Sequence, residues 1–351
     1  MPNWKGFQEL SYDLTEKEII ELSKEVVEQY NLVIEDVLKQ LEKAYAKVLS
    51  TVDTDDYYNA MLQYNRLDNM YAQITKEYNE KYATIRSLTV NAQKLGFSNE
   101  YYRKLYASQW IVPTFDFTVI PESMVELSVF GTADAFKKLS SKIGVEAAKG
   151  FIPERGTLSA LMADQRIDGI KAIQDAITQG LLNGESYETM SKRITEIIGE
   201  GNEIQASGLK ARALRILRTE SNRAMNDGAY AQQLVALEQG IDIKKMWSAT
   251  LDARTRPVHG KLDGQVRPID KPFSSSAGSV MRPGKFDSIG QNINCRCGTE
   301  DIINNQKPTI RRGRNPVTGD NEVFSYKTYE QWAKDNDLTK NKYGEYIVKK
   351  T

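Results

Sequence analysis

The chain has 351 residues, with 47 basic and 47 acidic side chains, one histidine and two cysteines. That length supports two or three cored domains. Two cysteines exclude a disulfide scaffold and suit synthesis in a reducing cytoplasm, while one histidine excludes a two-histidine metal site within the chain. No apolar run approaches the length of a spanning helix, and the opening Met1-Pro2-Asn3-Trp4-Lys5 lacks a secretory signal pattern. The neutral total hides a gradient. Residues 1–100 hold 11 basic against 17 acidic side chains, residues 101–200 hold 11 against 13, and residues 201–351 hold 25 against 17. Such asymmetry points to a different partner for each end.

The first third reads as long amphipathic helices. Ile19, Leu22, Val26, Tyr30, Val33, Val37, Leu41, Tyr45 and Val48 follow at steps of three or four, one helical stripe. Thr15, with Glu18 three residues on, has the pattern of a capping box and places the helix start there. Asp53-Thr54-Asp55-Asp56 breaks the pattern. A second stripe then runs through Tyr57, Met61, Tyr64, Tyr71, Ile74, Tyr78, Tyr82 and Ile85. Two such helices about a short polar turn predict an antiparallel hairpin. Its tyrosines read as a packing face rather than a base-stacking platform, because the stretch is acidic and repels phosphate.

Residues 110–120, ended by Pro121, read as extended, either a connector or one or two edge strands. Helical pattern returns over 133–149, breaks at Gly150-Phe151-Ile152-Pro153 and resumes over 157–182. Asn183-Gly184 is a turn signal. Ser186 caps a helix with Met190, Ile194, Ile197 and Ile198 inward, ended by Gly199 and Gly201. A further helix spans 202–239, closed by Gly240. Residues 241–300 are rich in Gly, Pro, Ser and Asp and predict short strands and functional loops. The last fifty residues read as an extended basic arm with one short helix over 329–336. The fold class expected is mainly α: a long helical hairpin and helical middle, then a small α+β domain.

Chemistry concentrates between Leu217 and Cys297. Arg218-Thr219-Glu220-Ser221 sits on a helix with Asn222, Asn226 and Gly228 after it. Trp247, Asp252, Arg254-Thr255-Arg256, His259, Leu262-Asp263-Gly264-Gln265, Phe273, Pro283 and Asn294-Cys295-Arg296-Cys297 follow. His259, Cys295 and Cys297 are soft metal ligands, with Asp252, Asp263 or water as a fourth. The alternative is a core histidine beside two buried thiols, favoured by the tight Cys-x-Cys spacing. Arg218-Thr219-Glu220 reads either as an ion-pair knot within the helix or as a buried anchor onto the small sheet. The second reading is favoured by Asn222 and Asn226, poor helix formers. Asp252, Arg254 and Arg256 can form a charge-assisted network that positions a loop or grips a phosphate. A nuclease reading has His259 as base and Arg254 and Arg256 as clamp, but such enzymes usually need a second histidine. An ADP-ribosyltransferase reading has Ser274-Ser275-Ser276 but no Glu-x-Glu pair after it.

In their order, these elements resemble the head morphogenesis domain of the Mu F-like minor head proteins of tailed phages, over about residues 155–300. The motif residues so marked are Arg218, Thr219, Glu220, Trp247, Asp252, Arg254, Arg256, His259, Gly264, Cys295, Arg296 and Cys297. The resemblance implies a protein built in few copies into the procapsid, associated with the portal, able to contact DNA and to leave with it. Some members carry a fuller zinc-ligand set; here Arg256 and Asn292 stand at two of its positions. An Arg256 salt bridge to Asp252 is the expected substitute for the metal. Some relatives carry an enzyme module after this segment. About fifty residues follow Cys297 here, and none is expected.

The resulting expectation is a non-enzymatic head protein located in the virion near the portal, and in host cytoplasm during assembly. The expected domains are a docking hairpin (1–110), a connector (111–155), the morphogenesis domain (156–300) and a basic arm (301–351). Its partners would be portal, capsid or scaffold proteins and double-stranded DNA, with no membrane. Lys210, Arg212, Arg215, Arg311, Arg312 and Arg314 would meet phosphate. Zinc at His259, Cys295 and Cys297 stays an open candidate, and no other cofactor is expected. The alternative is a nucleic-acid-processing enzyme using His259.

Overall fold

The computed structural model describes residues 4–49, 57–62, 65–153, 158–201 and 207–347. It is mainly α. The chain divides into two compact units that cut across its linear order. One comprises residues 19–92 and 156–217; the other comprises 1–18, 93–155 and 218–351.

The elements of the first unit are helices throughout its described residues. Helix α1 (Trp4–Leu49) and helix α3 (Arg66–Ile111), with the short α2 (Tyr57–Leu62) between them in sequence, supply the two stripes. Lys81 pairs with Asp36 at 3.7 Å, and Gln40 Nε2 donates to Glu77 at 2.9 Å, so the two long helices run antiparallel. The predicted Asp53–Asp56 turn lies outside the described residues. Val26, Tyr30, Val33, Val37, Leu41 and Tyr45 are buried against Ile74, Tyr78, Tyr82 and Ile85 in one core. Helix α7 (Leu158–Leu182) adds Met162, Ile173 and Ile177 to it. Helix α8 (Tyr187–Ile198), capped by Ser186 as expected, adds Met190, Ile194 and Ile198. Each fully buried side chain of this size contributes about 1.5–3 kcal/mol. The tyrosines are packing residues, and two of their hydroxyls bond across the core: Tyr82 donates to the Met162 carbonyl at 2.8 Å and Tyr45 to that of Glu185 at 2.8 Å.

The second unit holds the end of α3, helices α4 (Glu122–Phe130), α5 (Ala133–Ile143) and α6 (Val145–Lys149), and most of α9 (Gly208–Glu238). Its sheet is antiparallel, in the order β2 (Val266–Pro268), β1 (Ile243–Ser248), β5 (Gly298–Ile303). Two hairpins accompany the sheet, the first inserted between β2 and β5 and the second after β5. One pairs β3 (Phe273–Ser275) with β4 (Gly278–Val280), the other β6 (Ile310–Arg314) with β7 (Asn321–Ser325). Gly228 lets α9 cross α3 closely: a Cβ there would lie 2.1 Å from the Phe97 carbonyl oxygen.

Several expectations are corrected. Helix α1 starts at Trp4, and Thr15 lies inside it. Thr15 and Glu18 instead accept hydrogen bonds from Asn99 Nδ2, each at 3.1 Å. Residues 112–121 contain no strand, and 122–130 are helical. The helix predicted over 133–149 breaks at Gly144, whose φ of +85° is a glycine conformation. The predicted arm is folded. It contains the β6–β7 hairpin, helix α12 (Tyr329–Asp335), close to the expected helix, and the short pair β8 (Thr339–Lys340) and β9 (Tyr346–Ile347).

Candidate functional site

The β1–β5 pairing sets Trp247 opposite Thr299 and Ser248 opposite Gly298, which brings the Cys-Arg-Cys segment beside Trp247. Gly264, at φ +75°, turns the chain after helix α10 (Pro257–Leu262), and its N–H returns to the Trp247 carbonyl at 2.9 Å. Pro257 starts α10, where its missing N–H costs nothing. His259 on that helix is thereby held over both cysteines. Its Nδ1 lies 3.3 Å from Cys297 Sγ and 3.6 Å from Cys295 Sγ. All three residues are buried. Trp247, Phe286 and Phe273 surround them, with the imidazole stacked on Phe286 at 5.2 Å and edge-on to Trp247 at 5.8 Å. The thiol hydrogen bond between the cysteines, aided by the nearby Arg256 and Arg296 charges, holds Cys295 below the usual thiol range. The same bond, with burial, pushes Cys297 up.

Helix α9 ties down the Cys-x-Cys segment. Thr219 Oγ1 accepts from the Asn294 N–H at 3.0 Å. Asn226 Nδ2 donates to the Cys297 carbonyl at 3.0 Å, and Asn222 Nδ2 to the same oxygen at 3.4 Å. Within the Arg-Thr-Glu-Ser segment Thr219 makes such an anchor, and Glu220 pairs within its own helix. Arg218 itself is exposed. Glu220 accepts from Arg223 Nε at 2.7 Å. Arg223 also reaches Asp227, at 2.7 Å, and Arg282 Nε donates to Asp227 at 2.8 Å. Burial would raise the Asp227 carboxyl, but Lys285, Arg282 and Arg223 hold it below the usual range. The sequence reading missed this network, because Arg282 and Lys285 lie far from Asp227 along the chain and follow no pattern.

The partner of Asp252 is corrected. Arg296, not Arg256, grips it with both guanidinium nitrogens, Nη2 at 3.1 Å. Arg256 donates to the Ile293 carbonyl at 2.6 Å. Arg254 meets Asp252 through its N–H at 2.9 Å, with its side chain largely exposed. Burial would raise Asp252, and the Arg296 bonds bring it below the usual carboxylate range. Asp263 accepts from Arg311 at 2.6 and 2.7 Å, from the Ala249 N–H at 2.8 Å and from the Tyr329 N–H at 2.7 Å.

These contacts test the zinc expectation. The donor atoms of His259, Cys295 and Cys297 lie within 4.8 Å of one another, a spacing and softness that suit a metal. A closed structural site takes four donors. Both carboxylates named as a fourth, Asp252 and Asp263, are spent on arginines and N–H groups. Asn292 is spent on Phe286, accepting from its N–H at 3.0 Å and donating to its carbonyl at 2.6 Å. Among the described residues no further histidine, cysteine or carboxylate joins these three donors, which leaves water as the fourth ligand of a metal there; His259 itself is buried.

Two expected phosphate contacts are also corrected. Lys210 is buried and donates to Asn31 at 2.8 Å, and Arg311 is buried on Asp263. Arg212, Arg215 and Arg314 are exposed. Arg312 is half-buried and pairs with Glu16 at 3.2 Å.

Residues 171–300 match the family model described as Phage Mu protein F like protein. The chain is 28% identical over 312 residues to the Minor head protein GP7 of Bacillus phage SPP1, across 89% of this chain and 88% of that protein. It is thus similar over most of its length to a phage minor head protein. The motif residues lie within the matched segment, and most of them are buried. The chain is also 32% identical over 178 residues to the NAD(+)--arginine ADP-ribosyltransferase EFV of Enterococcus faecalis, covering 34% of that protein. It is 26% identical over 176 residues to an uncharacterized protein of Haemophilus influenzae, covering 33% of it. No solved structure matches the chain significantly. No helix among the described residues is long and apolar enough to cross a membrane.

Proposed function

We propose that the protein is a head assembly factor without catalytic turnover, built in few copies into the procapsid and the virion at the portal and in contact with packaged DNA. The observation that carries this reading is the end-to-end alignment with a minor head protein. The inward orientation of the motif supports it. Thr219, Asn226, Asp252, His259 and Cys297 are buried and bind one another's segments. The alternative enzyme reading needs His259 to reach a phosphodiester, and its ring is enclosed by Trp247 and Phe286. The likeness to the protein named as an ADP-ribosyltransferase spans a third of that protein, and no Glu-x-Glu pair follows the serines here. The domain is read as holding its shape with protein contacts alone and needing no cofactor.

Quantitative mass spectrometry of purified virions and procapsids tests the role. The expected result is a copy number far below that of the major capsid protein, with cross-links to the portal. Absence from both particles overturns it.

A further inference from the structure

The arginines of the motif are not sealed in with its thiols. Cys295 and Cys297 are buried, whereas Arg296 between them lies on Asp252 and stays partly exposed. Asp252 is itself buried, and its carboxylate is crowded. Arg296 holds both oxygens, the Arg254 N–H donates to Oδ1 at 2.9 Å, and the Thr255 hydroxyl donates to the same oxygen at 3.3 Å. The Arg254 side chain reaches Oδ2 at 3.5 Å and is 67% exposed. One carboxylate thus carries two guanidinium groups.

A third cation joins them from β6. Leu251 bridges to Gly313, and the Arg314 N–H donates to the Leu251 carbonyl at 2.8 Å, which brings Arg314 beside the Asp252 loop. The exposed Arg314 side chain donates from Nε to the Gly319 carbonyl at 2.7 Å and pairs with no carboxylate among the described residues. Glu322, opposite Gly313 on β7, accepts from Asn315 at 2.9 Å instead. Partial burial, with the Arg296 and Arg314 charges, holds the Arg254 guanidinium below the usual arginine range although Asp252 pulls the other way. Three guanidinium groups therefore gather around one carboxylate, all within the second unit. Such a surplus of one sign attracts an anion.

We propose that this cluster is a phosphate-binding site for the backbone of double-stranded DNA, with Arg254 and Arg314 as the contacting groups and Arg296, fixed on Asp252, adding its charge. The site rests on the reading that the protein contacts packaged DNA, and it locates that contact on the second unit. A guanidinium presents a planar fork of N–H donors that matches phosphate oxygens. Arg254 and Arg314 keep such donors unspent, because Arg296, the Arg254 N–H and the Thr255 hydroxyl already occupy Asp252. Contacts of this kind position a duplex without reading its sequence.

The test titrates the full chain with a short duplex of mixed sequence at several salt concentrations. Arg254→Ala/Arg314→Ala is expected to weaken binding by about ten-fold or more. The same variant should make the log–log salt slope shallower by roughly two. Arg254→Glu leaves the Arg314–Gly319 bond alone. It is expected to weaken binding at least as much as Arg254→Ala, with the melting temperature unchanged. Lys137→Ala/Lys142→Ala removes equal charge from exposed positions of α5 and is expected to bind as the parent does. The proposal is overturned if the double arginine variant keeps the parent's affinity and slope; the DNA-contact reading then stands without this site. It is also overturned if the lysine variant weakens binding equally, since net charge then suffices. Equally tight binding of a polyglutamate of the same charge overturns it too, since the ligand is then a carboxylate. A parent chain that binds no duplex overturns the site and the reading together.

Discussion

Lys245 is a fully buried lysine on β1 that pairs with no carboxylate among the described residues. Its Nζ donates to the carbonyls of Ile269 at 3.0 Å and Met281 at 2.8 Å, and lies over the Phe273 ring at 5.2 Å. Burial, with the Arg282 charge adding, pulls its pKa down to about 7. Its unfolded value is about 10.4, so between these limits the unfolded chain binds the extra proton and stability rises with pH. Below pH 7 both states are charged and the penalty is constant. Urea unfolding is expected to show stability increasing from pH 7 to 9, and Lys245→Met is expected to flatten that rise. Above about pH 10 the buried tyrosines Tyr30 and Tyr82, raised by desolvation, oppose it. Nothing in the sequence marks Lys245, which stands beside the solvent-directed Lys244 in the same run. His259, Cys295 and Cys297 were legible, because unusual residue types in a dense block stand out without knowledge of the fold.

Elements differ in how they betray themselves. Helices α7 and α8 were read to within a few residues because a 3.6-residue period and a Ser186 cap are local signals. The Thr15 pattern misled because a cap sequence inside a longer helix can bond across to Asn99 instead. The β6–β7 hairpin was missed because its basic residues suggested a solvated arm. Arg311 is in fact the pin that docks it, through two bonds to Asp263 and one to the Ala249 carbonyl at 2.5 Å. Removing one partner of a buried pair typically costs 3–5 kcal/mol, since the remaining charge is stranded. Arg311→Ala is expected to lower stability by about that amount and to open residues 304–347 to limited proteolysis before the β1–β5 pair. Equal protease resistance in the variant would show that the hairpin is held by other contacts.

For the molecule as a whole, the charge gradient keeps its sign but loses part of its proposed use. Lys210 and Arg311 are buried on partners within the chain, so the proposed DNA contact would rest on exposed groups such as Arg212, Arg215 and Arg314. Binding is expected to be independent of sequence and to weaken linearly in log–log against salt, with a slope of about −0.9 per phosphate contact. Replacing these three arginines by alanine should reduce the slope by roughly one each; an unchanged salt dependence would move the contact elsewhere. The amino-acid order by itself determined the helical stripes, the character of the two main regions and the ordered motif of the minor head family. Those features rest on neighbouring residues, whose spacing survives in one dimension. Tertiary structure alone decided that Arg296 rather than Arg256 meets Asp252, that Arg282 and Arg223 share Asp227, and that the last segment folds back onto Asp263. Two of those pairs join residues 44 and 55 positions apart. Burial selects among several chemically equal arginines only once the chain has closed around them.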